Sequence, residues 1–315
     1  MGAKITIIGA GSVGATIAYT MSNIDIASEI VLIDINKKKV EGEVLDITQG
    51  TAFRGPISIV GGEYEDAAGS DIVIITSGVG RKPGQTRIDL TQTNVNILKS
   101  ITPEIVKYAP DAKYIIVSNP VDVLTYVFTK ISGLPESQIV GSGTLLDTAR
   151  LRSTMSDFYK VNQRNCHAFV FGEHGDSCFV PWSCAKISGI PLDQYKNLMP
   201  ASMVPNEEWD CEKVEEHVRT SGGQIIANKG ATFYAIANSV IDLCKKLLSA
   251  YDSIACLSSM MHGEYGIEDV CLNVLTVVGP NGIKGKIEMP MTDEEVAKLK
   301  HSADVLKDVI NQIEI

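Results

Sequence analysis

Residues 5–14 read ITIIGAGSVG, a short apolar run followed directly by a glycine-rich loop. The run does not alternate between apolar and charged residues, and it is apolar apart from Thr6, which is typical of a strand in a parallel sheet that is covered on both faces. The loop has the spacing GxGxxG and leads into residues 13–21, which have the character of a helix. Strand, glycine loop and helix in this order predict the first unit of a doubly wound α/β fold.

The glycine loop also predicts a ligand. Its glycines permit a tight turn and close backbone approach, so that the helix N-terminus can face a pyrophosphate. A second apolar run, residues 30–33, ends on Asp34, twenty residues after Gly14. A carboxylate there would bind ribose hydroxyls and repel a 2′-phosphate, which favours NAD over NADP. A glycine-rich turn without a ligand and a methyltransferase site on a similar fold are the alternatives.

Strands and helices alternate through the first half of the chain. Further strands are predicted at residues 57–60, 72–76, 114–117 and 139–140. In the second half we predict helices at residues 144–159, 224–249 and 293–313, and β-rich pieces at 168–171 and 271–278. Thr292 and Glu295 form a plausible capping box for the last helix. We therefore expect an N-terminal Rossmann domain with a doubly wound parallel sheet (residues 1–142) and a C-terminal α+β substrate domain (residues 143–315).

Composition narrows the class of protein. The 315 residues carry a formal charge of −10, with 44% hydrophobic and 21% charged side chains, which is ordinary for a globular protein. The acidic balance disfavours nucleic acid as a partner. Seven cysteines without CxxC spacing predict reduced thiols and no metal site. No apolar stretch approaches the ~20 residues of a membrane helix, so we expect a cytoplasmic protein that does not bind membranes.

Four further motifs follow the glycine loop in order. They are KPGQTR at 82–87, SNPVD at 118–122, LDTARLR at 146–152 and FGEHGDS at 171–177. Together with the loop, these segments closely resemble the L-lactate/L-malate dehydrogenase family, from Lys4 to the C-terminal helix. The resemblance implies an NAD-dependent L-2-hydroxy acid dehydrogenase, working as a homodimer or homotetramer on a small 2-keto acid. The expected cofactor contacts are Gly9, Gly11, Ser12, Val13, Gly14, Asp34, Thr76, Gly78, Val117 and Asn119.

The chemistry of keto acid reduction also favours a particular group of residues. The carbonyl oxygen needs a proton, and His174 is the natural donor because histidine titrates near neutrality. Asp147 is expected to orient and charge that imidazole, as the family implies too. Asp147 and Arg150 are three residues apart on a predicted helix, so Arg150 can bind the substrate carboxylate through two parallel hydrogen bonds. A surface ion pair is the alternative for Asp147 and Arg150.

Arg87 lies in a polar segment with Gly78, Gly80 and Gly84, which predicts a mobile loop. By resemblance, Arg87 closes over the substrate and stabilises negative charge on the carbonyl oxygen. The resemblance also places Asn119 at that oxygen or at the cofactor, and Thr232 at the substrate. A solvated loop charge is the alternative for Arg87.

The choice of keto acid depends on the same loop. In the family a glutamine at this position accompanies pyruvate and an arginine accompanies oxaloacetate, and this chain has Arg81. A guanidinium can pair with a second carboxylate but would stay unpaired beside a methyl group. Gln85 favours oxaloacetate too, whereas Glu173 and Thr232 resemble lactate enzymes. We therefore predict a narrow preference for malate and oxaloacetate, with lactate dehydrogenase or mixed specificity as the alternatives.

Two further features concern regulation and assembly. Arg152 and His167 resemble the pair that binds fructose 1,6-bisphosphate in regulated bacterial lactate dehydrogenases, although a helix-face arginine and a strand histidine would look the same. Apolar residues over 224–249 are compatible with a buried subunit interface. A non-catalytic NAD-binding assembly protein on the same fold is the alternative from another class.

Overall fold

The structure of the protein is a computed structural model that describes residues 2–80 and 84–315. Its helices are α1 (Ser12–Ser22), α2 (Lys37–Gly50), α3 (Arg87–Tyr108), α4 (Val121–Ile131), α5 (Leu145–Tyr159), α6 (Leu192–Leu198), α7 (Cys211–Lys229), α8 (Tyr234–Leu248) and α9 (Asp293–Ile310). Its strands are β1 (Ala3–Ile8), β2 (Ala27–Ile33), β3 (Ser58–Gly61), β4 (Ile72–Ile75), β5 (Lys113–Ile116), β6 (Ile139–Gly141), β7 (Cys166–His167), β8 (Lys186–Ile187), β9 (Ile190–Pro191), β10 (Ser253–His262), β11 (Glu268–Gly279) and β12 (Gly282–Lys286).

Strands β1 to β6 form the parallel sheet that the sequence predicts. They lie in the order β6-β5-β4-β1-β2-β3, and each pair of neighbours is parallel. This order reverses between β1 and β4, which creates the crevice where doubly wound sheets bind ligands. The predicted Rossmann-like fold is confirmed.

The central strands are apolar because both faces of the sheet are covered. Ile5 and Ile7 of β1 pack into one hydrophobic core with residues of α1 and α8, whereas Ile8 packs into a second core with residues of α3 and α4. Ile5 and Ile7 are fully buried. Alternate residues of a strand point to opposite faces, so a largely apolar run fits this position. The polar Thr6 is buried as well, with its hydroxyl 2.7 Å from that of Ser70.

The second half of the chain extends the same sheet. Strands β10, β11 and β12 are antiparallel, and β10 pairs with β6 through Ser258 and Gly141. A separate small sheet has the order β7-β8-β9. The division of the chain into two domains at residue 142 stays a prediction, since β10 continues the sheet directly from β6.

Several predicted elements need correction. The single helix predicted over 224–249 is wrong, because α7 ends at Lys229 and α8 begins at Tyr234. Gly230 follows α7 with φ +86°, a conformation that ends a helix and favours glycine. The β-rich piece over 168–171 is reduced to a bridge between Phe171 and Phe179. The capping box of Thr292 and Glu295 is present at the start of α9.

The break after α7 also changes the expectation about assembly. The apolar residues of α8 are buried within the chain itself, where they pack against β-strands and α1; they are Ala237, Val240, Ile241, Leu243, Cys244 and Leu247. These residues therefore do not offer a free interface. None of the helices in the part that the structure describes is long and apolar enough to cross a membrane.

Candidate active site

A cavity of about 280 Å³ opens at the carboxyl ends of the parallel strands. It is walled by the first turn of α1, the residues that follow β5 and β6, α5, α7, the start of α8 and residues between 174 and 178. Of the residues predicted from the sequence, it brings together Val13, Val117, Asn119, Asp147, Arg150, His174 and Thr232. These residues are spread over more than 200 positions of sequence, and the fold places them around one volume.

His174 and Asp147 form a close pair in the wall of this cavity. Nδ1 of His174 lies 2.6 Å from Oδ2 of Asp147, and the Asp147 side chain is only 6% exposed. Burial lowers the pKa of His174, but the charge and hydrogen bond of Asp147 outweigh it, so the pKa is raised. The pKa of Asp147 is lowered, because His174 and Arg150 together outweigh the effect of burial. The imidazolium and the carboxylate therefore stabilise each other.

Arg150 lies on the same face of α5 as Asp147. Its Nη1 donates to Oδ1 of Asp147, and its side chain is 15% exposed. The other terminal nitrogen, Nη2, faces Gly222 of α7, where an added Cβ would lie 3.5 Å away. With one nitrogen held by Asp147, Arg150 presents the rest of its guanidinium to the cavity and can bind an anion there.

The glycine loop has the geometry of a phosphate cradle. Gly9 has φ +110°, and a Cβ on Gly14 would overlap the carbonyl oxygen of Gly9. Gly11, by contrast, faces open space, with nothing within 4 Å of an added Cβ. The backbone at the N-terminus of α1 is thus free to approach a pyrophosphate, so these residues fit a dinucleotide.

Two predicted cofactor residues help to shape the loop. Oδ2 of Asp34 accepts a hydrogen bond from the backbone N of Ala10 at 2.7 Å. The hydroxyl of Thr76 donates to the carbonyl oxygens of Ile8 and Gly9 at 3.2 and 3.0 Å. Asp34 therefore stands just after β2, next to the loop, and its contact with the ribose stays a prediction. Ser12 begins α1, and Gly78 follows β4.

Arg87 lies at a different position from the one predicted. It is the first residue of α3, not part of a loop. Its guanidinium pairs with Glu173, whose side chain is 2% exposed, and reaches to 3.9 Å from Asp176. The helix begins at Arg87 because Thr86 and Asp89 form a capping box there. Arg81, the predicted specificity residue, lies outside the described residues.

Arg152 and His167 stand apart from the cavity. The Nε of Arg152 donates to the carbonyl oxygen of Ala168 at 3.1 Å, and its guanidinium lies 4.9 Å from the ring centre of Phe169. His167 is exposed on β7, opposite Lys186. Their assignment to a sugar phosphate stays a prediction.

Sequence reasoning missed several residues of the site. Arg219, Gly222, Gly223 and Ile226 of α7 line the cavity, but the predicted helix began only at residue 224. The signal was the pair of glycines inside a polar helical stretch, since glycine in a helix often marks a close approach. Asp122 was quoted in a motif without a role, and it accepts a hydrogen bond from the backbone N of His174.

Known proteins match this chain along its whole length. The description "lactate/malate dehydrogenase, NAD binding domain" matches residues 3–141, and "lactate/malate dehydrogenase, alpha/beta C-terminal domain" matches residues 144–315. The L-lactate dehydrogenase of Acetivibrio thermocellus is 47% identical over 312 residues, which cover 99% of this chain and 98% of that protein. L-lactate dehydrogenase 1 of Clostridium acetobutylicum is 44% identical over 310 residues, 98% of each chain.

Solved structures of lactate dehydrogenases are also similar to this chain. The minor L-lactate dehydrogenase from Enterococcus mundtii, in its ligands-bound form, superimposes with a TM-score of 0.93 at 36% identity, covering 100% of this chain and 99% of that one. MGS-M5, a lactate dehydrogenase from a Medee basin deep-sea metagenome library, gives a TM-score of 0.94 at 36% identity, covering 99% and 98%.

Proposed function

The chain belongs to the lactate/malate dehydrogenase family, and on that premise we propose that it reduces pyruvate to L-lactate. Membership makes it an NAD-dependent 2-hydroxy acid dehydrogenase. The observation that carries the assignment of the reacting groups is the 2.6 Å contact between His174 and Asp147, in a cavity that Arg150 also lines. The pair offers a proton and Arg150 a binding group for a carboxylate, which are the two needs of a keto acid.

The cofactor is NAD, and the glycine loop, α1 and Asp34 would hold it. When bound, NADH supplies the hydride that reduces the carbonyl carbon. The loop would bind the pyrophosphate through the backbone of α1, and Asp34 would accept hydrogen bonds from the ribose. Val117 and Asn119 follow β5 at the rim of the cavity, so they would contact the part of the cofactor nearest to His174.

His174 would donate the proton to the carbonyl oxygen. Its Nδ1 faces Asp147, so Nε2 is the nitrogen left to act on the substrate. The raised pKa of His174 favours the imidazolium, which is the form that can act as the acid. After transfer, the neutral imidazole can take the proton back when the reaction runs towards the keto acid.

Arg150, Asn119 and Thr232 would fix the substrate. Arg150 would pair with the carboxylate. Asn119 and Thr232 line the same cavity, where they would contact the rest of the substrate. Arg87 would stabilise the negative charge that develops on the oxygen, which requires it to leave Glu173 for the substrate. Positioning and charge stabilisation are thus divided between two arginines on different helices.

The relatives and Arg81 favour different substrates. Both curated relatives named above are L-lactate dehydrogenases, identical to this chain at 44 and 47% of aligned positions. They support pyruvate, the alternative to the malate preference expected from the sequence. Oxaloacetate remains the second candidate because of Arg81, whose guanidinium suits a second carboxylate, and because of Gln85 in the same segment.

Initial rates with NADH on the two keto acids test the proposal. We expect kcat/KM to be at least ~10-fold higher on pyruvate, a difference of about 1.4 kcal/mol in transition-state binding. A preference for oxaloacetate that R81Q reverses would overturn the choice of pyruvate. No turnover of either acid would instead favour a non-catalytic NAD-binding protein.

Regulation and assembly are proposed from the resemblance. Fructose 1,6-bisphosphate should lower the apparent KM for pyruvate, and R152Q should abolish the response; a flat response in the unaltered protein would exclude this role. A homodimer or homotetramer is expected, and light scattering on the purified chain tests it. A monomer at micromolar concentration would contradict that expectation.

A further inference from the structure

Asp122 and Asn273, two buried polar residues without a role so far, connect to the backbone around His174. Oδ2 of Asp122 accepts a hydrogen bond from the backbone N of His174 at 2.6 Å. Oδ1 of Asp122 accepts from Nδ2 of Asn273 at 2.8 Å. Asp122 is 3% exposed and Asn273 is fully buried. Burying a carboxylate costs free energy of folding, so packing alone does not explain the presence of Asp122 here.

The side chain of Asn273 joins three segments of the chain. Its Nδ2 also donates to the carbonyl oxygen of Gly172 at 2.8 Å, and its Oδ1 accepts from the backbone N of Thr144 at 3.0 Å. The backbones of Asn273 and Gly172 exchange two more hydrogen bonds, at 3.0 and 3.1 Å. Thr144 is the N-cap of α5, which carries Asp147, and Gly172 stands two residues before His174. One amide on β11 therefore ties the carboxylate's helix to the imidazole's segment.

The surroundings of this amide leave it little freedom. Gly143, which lines the cavity, has φ +45°, and a Cβ there would overlap Oδ1 of Asn273. Thr144 and Asn273 are both fully buried. A polar network that is enclosed and hydrogen-bonded in this way holds its members in a single arrangement.

The carboxylate of Asp122 acts on His174 by charge as well. The pKa of Asp122 is raised by burial, although hydrogen bonds to the carboxylate and the charge of His174 oppose that effect. Burial lowers the pKa of His174, whereas Asp147 and then Asp122 raise it. When ionised, Asp122 is thus a second negative group that favours the imidazolium.

We propose that Asp122 and Asn273 are positioning residues, which fix the backbone of His174 and the first turn of α5 so that the imidazole meets Asp147. The inference rests on the proposed role of His174 as the proton donor. It assigns to α4 and β11 the task of holding the reacting pair in place, although neither Asp122 nor Asn273 lines the cavity.

The variant D122N tests the proposal with almost no change of shape. The two oxygens of Asp122 each accept a hydrogen bond, whereas an asparagine has only one side-chain oxygen. Its NH2 group would therefore face a second donor, either the backbone N of His174 or Nδ2 of Asn273. We expect kcat for keto acid reduction to fall about 10–100-fold, since small misplacements of reacting groups cost that much. The pKa of His174, measured by NMR on histidine-labelled protein and assigned with H174N, should fall too. The Kd for NADH should stay unchanged.

E295Q is the matched control, because it neutralises another buried carboxylate. Glu295 accepts from the backbone N of Ser183 at 3.0 Å and of Thr292 at 2.9 Å, away from the cavity. The E295Q substitution should lower Tm but leave kcat and the pKa of His174 unchanged. The proposal is supported when D122N changes both quantities. It is overturned when either keeps its wild-type value in D122N, or when E295Q changes them equally.

A second variant decides the matter if D122N does not fold. In N273D the carboxyl group can accept from Thr144, but it can donate to Asp122 only when protonated. The ratio of kcat in N273D to kcat in the wild type should therefore fall as pH rises, and a constant ratio would overturn the proposal. Should the wild type reduce no keto acid, the proposed function fails, while the NMR comparison still tests the positioning.

Discussion

Nδ1 of His174 lies 2.6 Å from Oδ2 of Asp147, and the two residues come from different parts of the fold. Asp147 lies in the first turn of α5, whereas His174 lies two residues after Gly172, which bridges to Asn273 of β11. The contact raises the pKa of the imidazole against the effect of burial. Proton transfer should therefore depend on this pair, whereas binding of the substrate carboxylate and stabilisation of negative charge should depend on Arg150 and Arg87.

Replacing the carboxylate should move the pH profile. In D147N the pKa of His174 should fall, because its main negative partner is gone. Keto acid reduction needs the imidazolium, so its alkaline limb should shift to lower pH, with kcat at pH 7 reduced about 10²–10⁴-fold. Initial rates of keto acid reduction, measured from pH 5 to 9, test the shift and the fall in kcat. An unshifted limb would mean that another group titrates.

The same pair should make stability depend on pH in a defined window. The raised pKa of His174 contributes stability below about pH 6.5, the unfolded value, which is lost as pH rises through the folded value. The lowered pKa of Asp147 contributes stability above about pH 3.9, which is lost as pH falls through the folded value. The Tm deficit of D147N should therefore be largest between these limits and shrink at alkaline pH.

Arg150 should govern binding of the substrate. A lysine cannot form two parallel hydrogen bonds with a carboxylate, so R150K should raise KM for the keto acid about 10–100-fold. The Kd for NADH should not change. R164K, on an exposed arginine of the same half of the chain, is the control and should match the wild type. Equal KM values in R150K and the wild type would remove Arg150 from the carboxylate site.

Arg87 should act on the rate more than on binding. If it stabilises charge only as the hydride arrives, R87K should lower kcat by about 10²-fold with a smaller change in KM. The exposed Arg54, between α2 and β3, gives the control variant R54K. A change in KM alone would show that Arg87 binds the ground state instead.

Asp34 should determine the preference for NADH over NADPH. Its carboxylate stands beside the glycine loop, where it would repel a 2′-phosphate. D34S should lower kcat/KM with NADH and raise the ratio of NADPH to NADH activity by about 10-fold or more. It also removes the hydrogen bond to Ala10, so Tm should be recorded alongside. An unchanged ratio would show that Asp34 only shapes the loop.

The sequence predicted those parts of the molecule that depend on local pattern. The glycine loop, the apolar strands and the spacing of Asp147 and Arg150 each follow from neighbouring residues, and the structure agrees with all three. Arg87 was misplaced because a capping box overrides the polar, glycine-rich look of its surroundings. The break at Gly230 was missed because the apolar pattern continues on either side of it.

Long-range contacts could not be predicted in this way. Nothing near Asn273 in sequence indicates that its amide meets Thr144, 129 residues away, and Asp122, 151 residues away. The approach of α7 to Arg150 similarly depends on how two helices pack. Only the folded chain shows which buried polar groups share a network.

The substitution H174N tests the central claim most directly. Rates of pyruvate and oxaloacetate reduction with NADH should be compared with the wild type, together with NADH binding followed by fluorescence. We predict a fall in kcat of at least ~10²-fold on both acids, with NADH bound as tightly as before. Wild-type turnover by H174N would contradict the account, because the proton would then come from some other group.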